Sequence, residues 1–206
     1  MKKIFLYTGT GAYQAKDIEN FLAVFDFAYR RLHESELVKL TPDDIFIVPG
    51  GEAAAYLRAW SKNGIKKIRN FVSQGGIYIG ICAGAYVAGK RFRGAAGLNF
   101  FENELTYTKS QKVIEAMDAS KNRWKLISEN GPNLSQIKAD SVILKDRRDK
   151  PQAVRINFGK GQLYVFASHP EGSVFYEQLP QRFSGARFFN EFLKSLQNAS
   201  ENRDTR

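Results

Sequence analysis

Residues 75–89 read Gly75-Gly76-Ile77-Tyr78-Ile79-Gly80-Ile81-Cys82-Ala83-Gly84-Ala85-Tyr86-Val87-Ala88-Gly89, and this stretch decides the fold. The run 77–81 is apolar apart from Gly80, as expected of a strand buried on both faces. It enters a turn with glycines two positions either side of Cys82, followed by small residues suited to a helix. Gly80-x-Cys82-x-Gly84 is the cysteine form of the nucleophile elbow, a sharp strand-to-helix turn that lifts one side chain above a sheet. Gly80 and Gly84 let strand, turn and helix approach more closely than side chains would permit. Cys82 is the only cysteine in the chain, so any covalent sulfur chemistry uses that atom.

Working outward, the first half alternates between strand and helix patterns. Residues 3–7 are a short apolar strand ending in the glycine loop Thr8-Gly9-Thr10-Gly11-Ala12. Ile18, Phe21, Leu22, Phe25, Ala28 and Leu32 recur at helical spacing and predict one helix over 15–33. Ile45-Phe46-Ile47-Val48 is a continuous apolar run that stops at Pro49-Gly50-Gly51. Helical pieces over 53–60 and 65–72 follow, separated at Asn63-Gly64. This alternation predicts an α/β fold of three layers, flavodoxin-like, with a mostly parallel central sheet and helices on both faces. In such folds ligands sit beyond the carboxyl ends of the strands. The 8–12 loop, Pro49-Gly50-Gly51 and Cys82 therefore share one rim.

The second half adds short strands, over 105–107, 141–144, 153–158 and 162–166. Gly159-Lys160-Gly161 is the best hairpin turn in the chain. A closing helix carries Phe189, Phe192, Leu193 and Leu196 on one face. Residues 1–196 read as a single domain and 197–206 as a polar tail.

The totals narrow the class. A chain of 206 residues, 43% hydrophobic and 25% charged, is ordinary globular composition. A single cysteine forms no internal disulfide, and the start of the chain lacks the apolar length of a signal peptide, so a cytoplasmic protein is expected. The net charge of +10 is scattered from Lys2 to Arg206 with small clusters at Lys66-Lys67, Lys90-Arg91-Arg93 and 145–150. It reads as solvated surface, with neither nucleic acid nor membrane as a partner.

The chemistry of the rim follows from Cys82. A cysteine attacks as thiolate, which needs a base or a local positive field. Of the two histidines, His33 is read as closing the first helix. His169 ends the strand at 162–166, and Glu171 lies two residues on, so in extended backbone both side chains point to the same side. A carboxylate there holds the imidazole tautomer and stabilises the imidazolium. Cys82 is thus the candidate nucleophile, His169 the base and acid, and Glu171 the orienter. Oxyanion donors are expected from the Ala83 amide and from Gly50 and Gly51. Thr8, Gly9, Thr10, Gly11 and Tyr86 are expected to line the pocket. Arg91 and Arg93 are candidates for a substrate carboxylate. The residues call for no cofactor and no metal. A cysteine α/β-hydrolase fits less well, because that fold places its acid before the histidine.

Ile47-Val48-Pro49-Gly50-Gly51, Gly80-Ile81-Cys82-Ala83-Gly84 and His169-Pro170-Glu171, in that order, resemble the class I glutamine amidotransferase superfamily over about residues 3–196. The loop Tyr7-x-Gly9-x-Gly11 and the stretch Gly75 to Tyr86 are similar, more narrowly, to the N-terminal amidotransferase-like domain of eukaryotic-type biotin protein ligases. That resemblance implies Cys82, His169 and Glu171 as triad, Gly50 and Gly51 as oxyanion loop, a small-molecule amide as substrate, and a separate ammonia-accepting or ligase subunit as partner. The superfamily's glutaminases carry Gln two residues after the second elbow glycine, where this chain has Tyr86. No Gly-Arg-Gly-type biotinyl-adenylate loop occurs and no ligase portion follows, so the chain itself is not expected to ligate biotin. The alternative is a non-catalytic module that binds a metabolite or partner in the same pocket.

Overall fold

The computed structural model describes residues 1–107, 109, 111–174 and 185–199, and the side chains of 111, 173 and 174 are outside the description. The first half forms β1 (Lys3–Tyr7), α1 (Ala15–Val24), β2 (Tyr29–Leu32), β3 (Asp44–Val48), α2 (Ala53–Ser73), β4 (Ile77–Ile81) and α3 (Ala83–Ala88). The second half forms two-residue strands β5 (Arg91–Phe92) and β6 (Ala95–Ala96), then β7 (Gln111–Asp118), β8 (Arg123–Glu129), β9 (Ser141–Asp146), β10 (Pro151–Phe158), β11 (Gly161–Phe166) and α4 (Gly185–Asn198).

Nine strands make one sheet in the order β2-β1-β3-β4-β11-β10-β9-β7-β8. β2, β1, β3, β4 and β11 are parallel neighbours, in the 2-1-3-4-5 order of a flavodoxin-like sheet. From β11 outward the pairing is antiparallel, beginning with the expected hairpin at Gly159-Lys160-Gly161. The expected α/β architecture is therefore present, extended by an antiparallel wing.

Apart from Lys3, Asp44 and Gln162, strands β1, β3, β4 and β11 carry no charged or amide side chain, because both faces are covered. Phe5, Tyr7, Phe46 and Val48 point into one core with Tyr56, Trp60, Ile68 and Phe71 of α2. Ile4, Leu6, Ile45 and Ile47 point into the other, with Ile18, Phe21 and Leu22 of α1 and Phe189, Leu193 and Leu196 of α4. Each large apolar side chain removed from water contributes roughly 1.5–3 kcal/mol. These two cores fix the carboxyl ends of β1, β3, β4 and β11 on one rim. No helix among the described residues is long and apolar enough to cross a membrane.

Four expectations are corrected. The helix expected over 15–33 ends at Val24, where Asp26 adopts φ 58° and the amides of Asp26 and Phe27 bond back to the carbonyls of Ala23 and Leu22, a Schellman close. Leu32 then belongs to the edge strand β2, and His33 caps a short 3-10 turn instead of closing a helix. Helix α2 breaks at Ser61, φ 53°, two residues before Asn63-Gly64. The strand expected over 105–107 is only a lone bridge from Tyr107 to Pro132. β7 and β8 escaped the sequence because one face of this wing is exposed and charged, which dilutes its apolar run. The expected tail begins inside α4, which continues through Asn198; residues 200–206 lie outside the described residues.

Candidate active site

Cys82 stands between β4 and α3 with φ 49° and ψ −101°, a conformation that costs a non-glycine residue on the order of 1–3 kcal/mol. The surroundings hold it there. Its amide donates to the Phe166 carbonyl of β11 at 3.0 Å, and the amides of Ala85 and Tyr86 return to its own carbonyl. The elbow glycines leave no room for side chains: a Cβ on Gly84 would overlap the Val48 carbonyl oxygen, and one on Gly80 would lie 2.6 Å from the Gly84 oxygen. The thiol points to the Glu129 carbonyl at 3.5 Å.

His169 follows β11 on the same rim. Its amide donates to the Ile127 carbonyl at 2.7 Å, which ties it to β8. Nδ1 lies 3.0 Å from Glu171 Oε1, and both side chains are buried. Among the described residues Nε2 has no hydrogen-bond partner of ordinary geometry, and the group close enough to act on its charge is the Cys82 thiol. Burial pushes the imidazole down, but the Glu171 carboxylate and then Cys82 outweigh it and hold His169 well above the ordinary histidine range. Asp17 of α1 belongs to the same neighbourhood: burial, then repulsion from Glu171, raises its carboxyl above the usual range.

Gly51, at φ 151°, takes a conformation that a side chain would strain. A Cβ on Gly50 would meet the Gln14 carboxamide and lie 2.8 Å from His169 Cε1. The Pro49-Gly50-Gly51 turn thus sits against the histidine ring. Ala83 is the first residue of α3, where an amide has no acceptor within the helix.

Cys82, Ala83, Gly51 and Tyr86 open onto a cavity of about 620 Å³. Tyr86, Phe92, Leu105 and Tyr107 give it an apolar wall, and Arg93 stands at it with its guanidinium 5.4 Å from the Phe92 ring centre. Asn130 closes one side, accepting the Tyr86 hydroxyl on its backbone carbonyl at 3.0 Å and the Tyr107 hydroxyl on its side chain at 2.8 Å. The expected pocket residues thus divide. Tyr86 lines the cavity, whereas Thr8, Gly9, Thr10 and Gly11 are not among its lining residues. That loop turns to Glu34, which accepts from Thr10, and the Gly11 carbonyl supports the far side of the Gly51 turn by accepting from Glu52. Arg91 also lies off this cavity, in a shallower hollow beside Arg69.

Sequence reasoning missed Gln14, Asp17, Tyr56, Glu129 and Asn130. Only Asn130 carried a signal, since Asn130-Gly131-Pro132-Asn133 marks a turn; nothing local shows that the turn folds over the elbow. On the antiparallel wing Lys109, Lys112, Lys125, Arg147, Arg148 and Lys150 share the lining of a concavity of about 570 Å³ with Glu115 and Asp146, and Arg147 is paired with Glu115.

Residues 34–105 match the family described as "Biotin-protein ligase, N terminal". A solved glutamine amidotransferase superposes with a TM-score of 0.67 at 16% identity, over 94% of this chain and 98% of that one. The chain has the class I glutamine amidotransferase-like fold. It is 25% identical to the biotin–protein ligase of Schizosaccharomyces pombe, over 83% of this chain and 33% of the ligase, so it spans about a third of that relative's length. It is 28% identical to pyridoxal 5′-phosphate synthase subunit PdxT of Francisella philomiragia, over 67% of this chain and 78% of that protein.

In this amidotransferase-like fold the two halves of the site have different standing in sequence. The span matching the ligase N-terminal family contains Gly50, Gly51, Cys82, Ala83 and Tyr86. His169 and Glu171 lie beyond it, and the fold brings them back to the elbow through β11.

Proposed function

We propose that this protein cleaves the C–N bond of a small carboxamide through a thioester on Cys82. The observation that carries the reading is the buried His169–Glu171 pair at 3.0 Å, with its free Nε2 beside Cys82. Glu171 fixes the imidazole with Nδ1 protonated, leaving Nε2 to take the thiol proton. An imidazolium beside the sulfur favours its ionised, nucleophilic form. The sulfur attacks the amide carbon, and the oxygen that gains charge is met by amides of Ala83 and the Gly50-Gly51 turn. The C–N bond then breaks, His169 returns its proton to the departing nitrogen, and water hydrolyses the thioester to acid and free thiol. Ammonia or amine is released to water or handed to a partner subunit, an arrangement suggested by the likeness to a protein named as a synthase subunit. A thiol nucleophile works only when reduced, which fits the cytoplasm. Biotin ligation is not proposed for these residues.

The second reading is a non-catalytic module that binds a metabolite or partner. Tyr86 favours it, because a phenol tied to Asn130 fills the position where the superfamily's glutaminases carry glutamine.

Alkylation by iodoacetamide at pH 7 separates the two. The catalytic reading expects Cys82 to react faster than free cysteine, and His169→Ala to slow it about tenfold or more, within the range of general-base effects. Incubation with a mixture of carboxamides is expected to leave an acyl adduct on Cys82, read by intact mass and absent from Cys82→Ala. Ordinary alkylation indifferent to His169→Ala, with no adduct, leaves the binding reading.

A further inference from the structure

We infer that the Tyr56 phenol is a positioning residue that fixes which backbone amides face the Cys82 cavity. This rests on the triad reading above and assigns a role to a side chain outside the triad and the glycine turn. Tyr56 lies on α2 and is fully buried. Its hydroxyl is 3.1 Å from the Pro49 carbonyl oxygen and 3.0 Å from the Gly50 carbonyl oxygen, so its one proton is shared between consecutive peptide oxygens. Each oxygen has a second donor: the Gly84 amide reaches Pro49 at 3.3 Å, and the Gln14 amide reaches Gly50 at 3.2 Å.

A trans peptide points its N–H opposite to its C=O, and the described chain has no cis peptide. Pinning the Gly50 carbonyl toward Tyr56 and Gln14 therefore turns the Gly51 N–H the other way. Gly51, unlike Gly50, lines the cavity onto which Cys82 opens. The Pro49 carbonyl is pinned toward the elbow helix by Gly84, which turns the Gly50 N–H away from that helix. The geometry thus selects Gly51, with Ala83, as the oxyanion donor pair. Two flexible glycines cannot maintain this peptide orientation alone, because glycine populates both signs of φ readily. Burial pushes the phenol far above the ordinary tyrosine range, so it remains a protonated donor wherever the enzyme works. Its ring is independently held, 5.3 Å from Tyr7 and 5.5 Å from Trp60 between ring centres, so Tyr56→Phe removes the hydroxyl and keeps the packing.

The test compares two reactions of the same sulfur in the full chain. Iodoacetamide alkylates Cys82 without developing an oxyanion. Acylation by p-nitrophenyl acetate does develop one: the S–C bond forms, the C–O bond to p-nitrophenolate breaks, and the thiol proton passes to His169. Deleting one oxyanion donor slows such enzymes about 100- to 1,000-fold; loosening one is expected to slow acylation about tenfold to 100-fold in Tyr56→Phe. Alkylation should stay within about twofold of the unmodified chain. Tyr7→Phe, which removes a neighbouring buried phenol bonded to Thr10 and Glu34 instead, should change neither rate. An unchanged acylation rate in Tyr56→Phe, or acylation and alkylation slowed equally, overturns the inference. If the unmodified protein acylates no faster than free cysteine, the triad reading falls and this inference with it, a result distinct from a Tyr56→Phe effect that is absent in an active protein.

Discussion

The Tyr86 hydroxyl donates to the Asn130 carbonyl at 3.0 Å, joining the helix that follows Cys82 to the loop after β8. The adjoining Glu129 carbonyl receives the Cys82 thiol. One short loop therefore braces both Cys82 and Tyr86. Tyr86→Phe removes this tie and leaves a carbonyl short of one donor. The expected cost is about 1 kcal/mol of unfolding free energy by urea titration, with Cys82 alkylation changed by less than about threefold. A loss of alkylation larger than the loss of stability would mean that Tyr86 acts on the sulfur directly.

The strain at Cys82 predicts an inversion of the usual alanine–glycine order. Glycine normally destabilises relative to alanine by about 0.4–1 kcal/mol through the unfolded chain. At φ 49° and ψ −101° alanine keeps the Cβ penalty that glycine escapes. Cys82→Gly should therefore be at least as stable as Cys82→Ala, by about 1 kcal/mol in thermal or urea unfolding. An alanine variant more stable than the glycine variant would show an unstrained elbow.

The His169–Glu171 pair predicts the sign of a pH effect. Folding raises His169 well above its ordinary value of 6.5, so the folded state holds that proton more tightly than the unfolded chain. The resulting stability is complete below about pH 6.5 and is lost as pH rises through the raised folded value. Unfolding free energies of the unmodified chain and His169→Gln, taken from pH 6 to 10, should show the advantage of the unmodified chain shrinking with rising pH. An advantage that grows with pH contradicts this assignment.

Much of the site was legible because its parts are local. The apolar run into Gly80-x-Cys82-x-Gly84 specifies a strand, a strained turn and a helix from neighbouring residues alone. His169 and Glu171 are two residues apart in sequence, but the extended backbone expected between them is absent: a turn at Pro170 and a short 3-10 helix opening at Glu171 bring the two side chains to 3.0 Å. The 15–33 helix failed for a physical reason. Phe25, Ala28 and Leu32 keep helical spacing, but Asp26 takes a left-handed conformation and Leu32 buries itself in a strand pairing with β1 that periodicity does not encode.

The sequence by itself determined the parallel α/β core, the rim of strand ends and the candidate nucleophile, since each follows from residue patterns a few positions long. Only the tertiary structure decided what surrounds that candidate. It set β11 beside β4, bringing His169 to an elbow 87 positions earlier in the chain, folded the Asn130 turn over the cavity, and aimed the Tyr56 hydroxyl at the glycine turn. Those contacts depend on strand order and on burial against distant elements, and no local pattern fixes either.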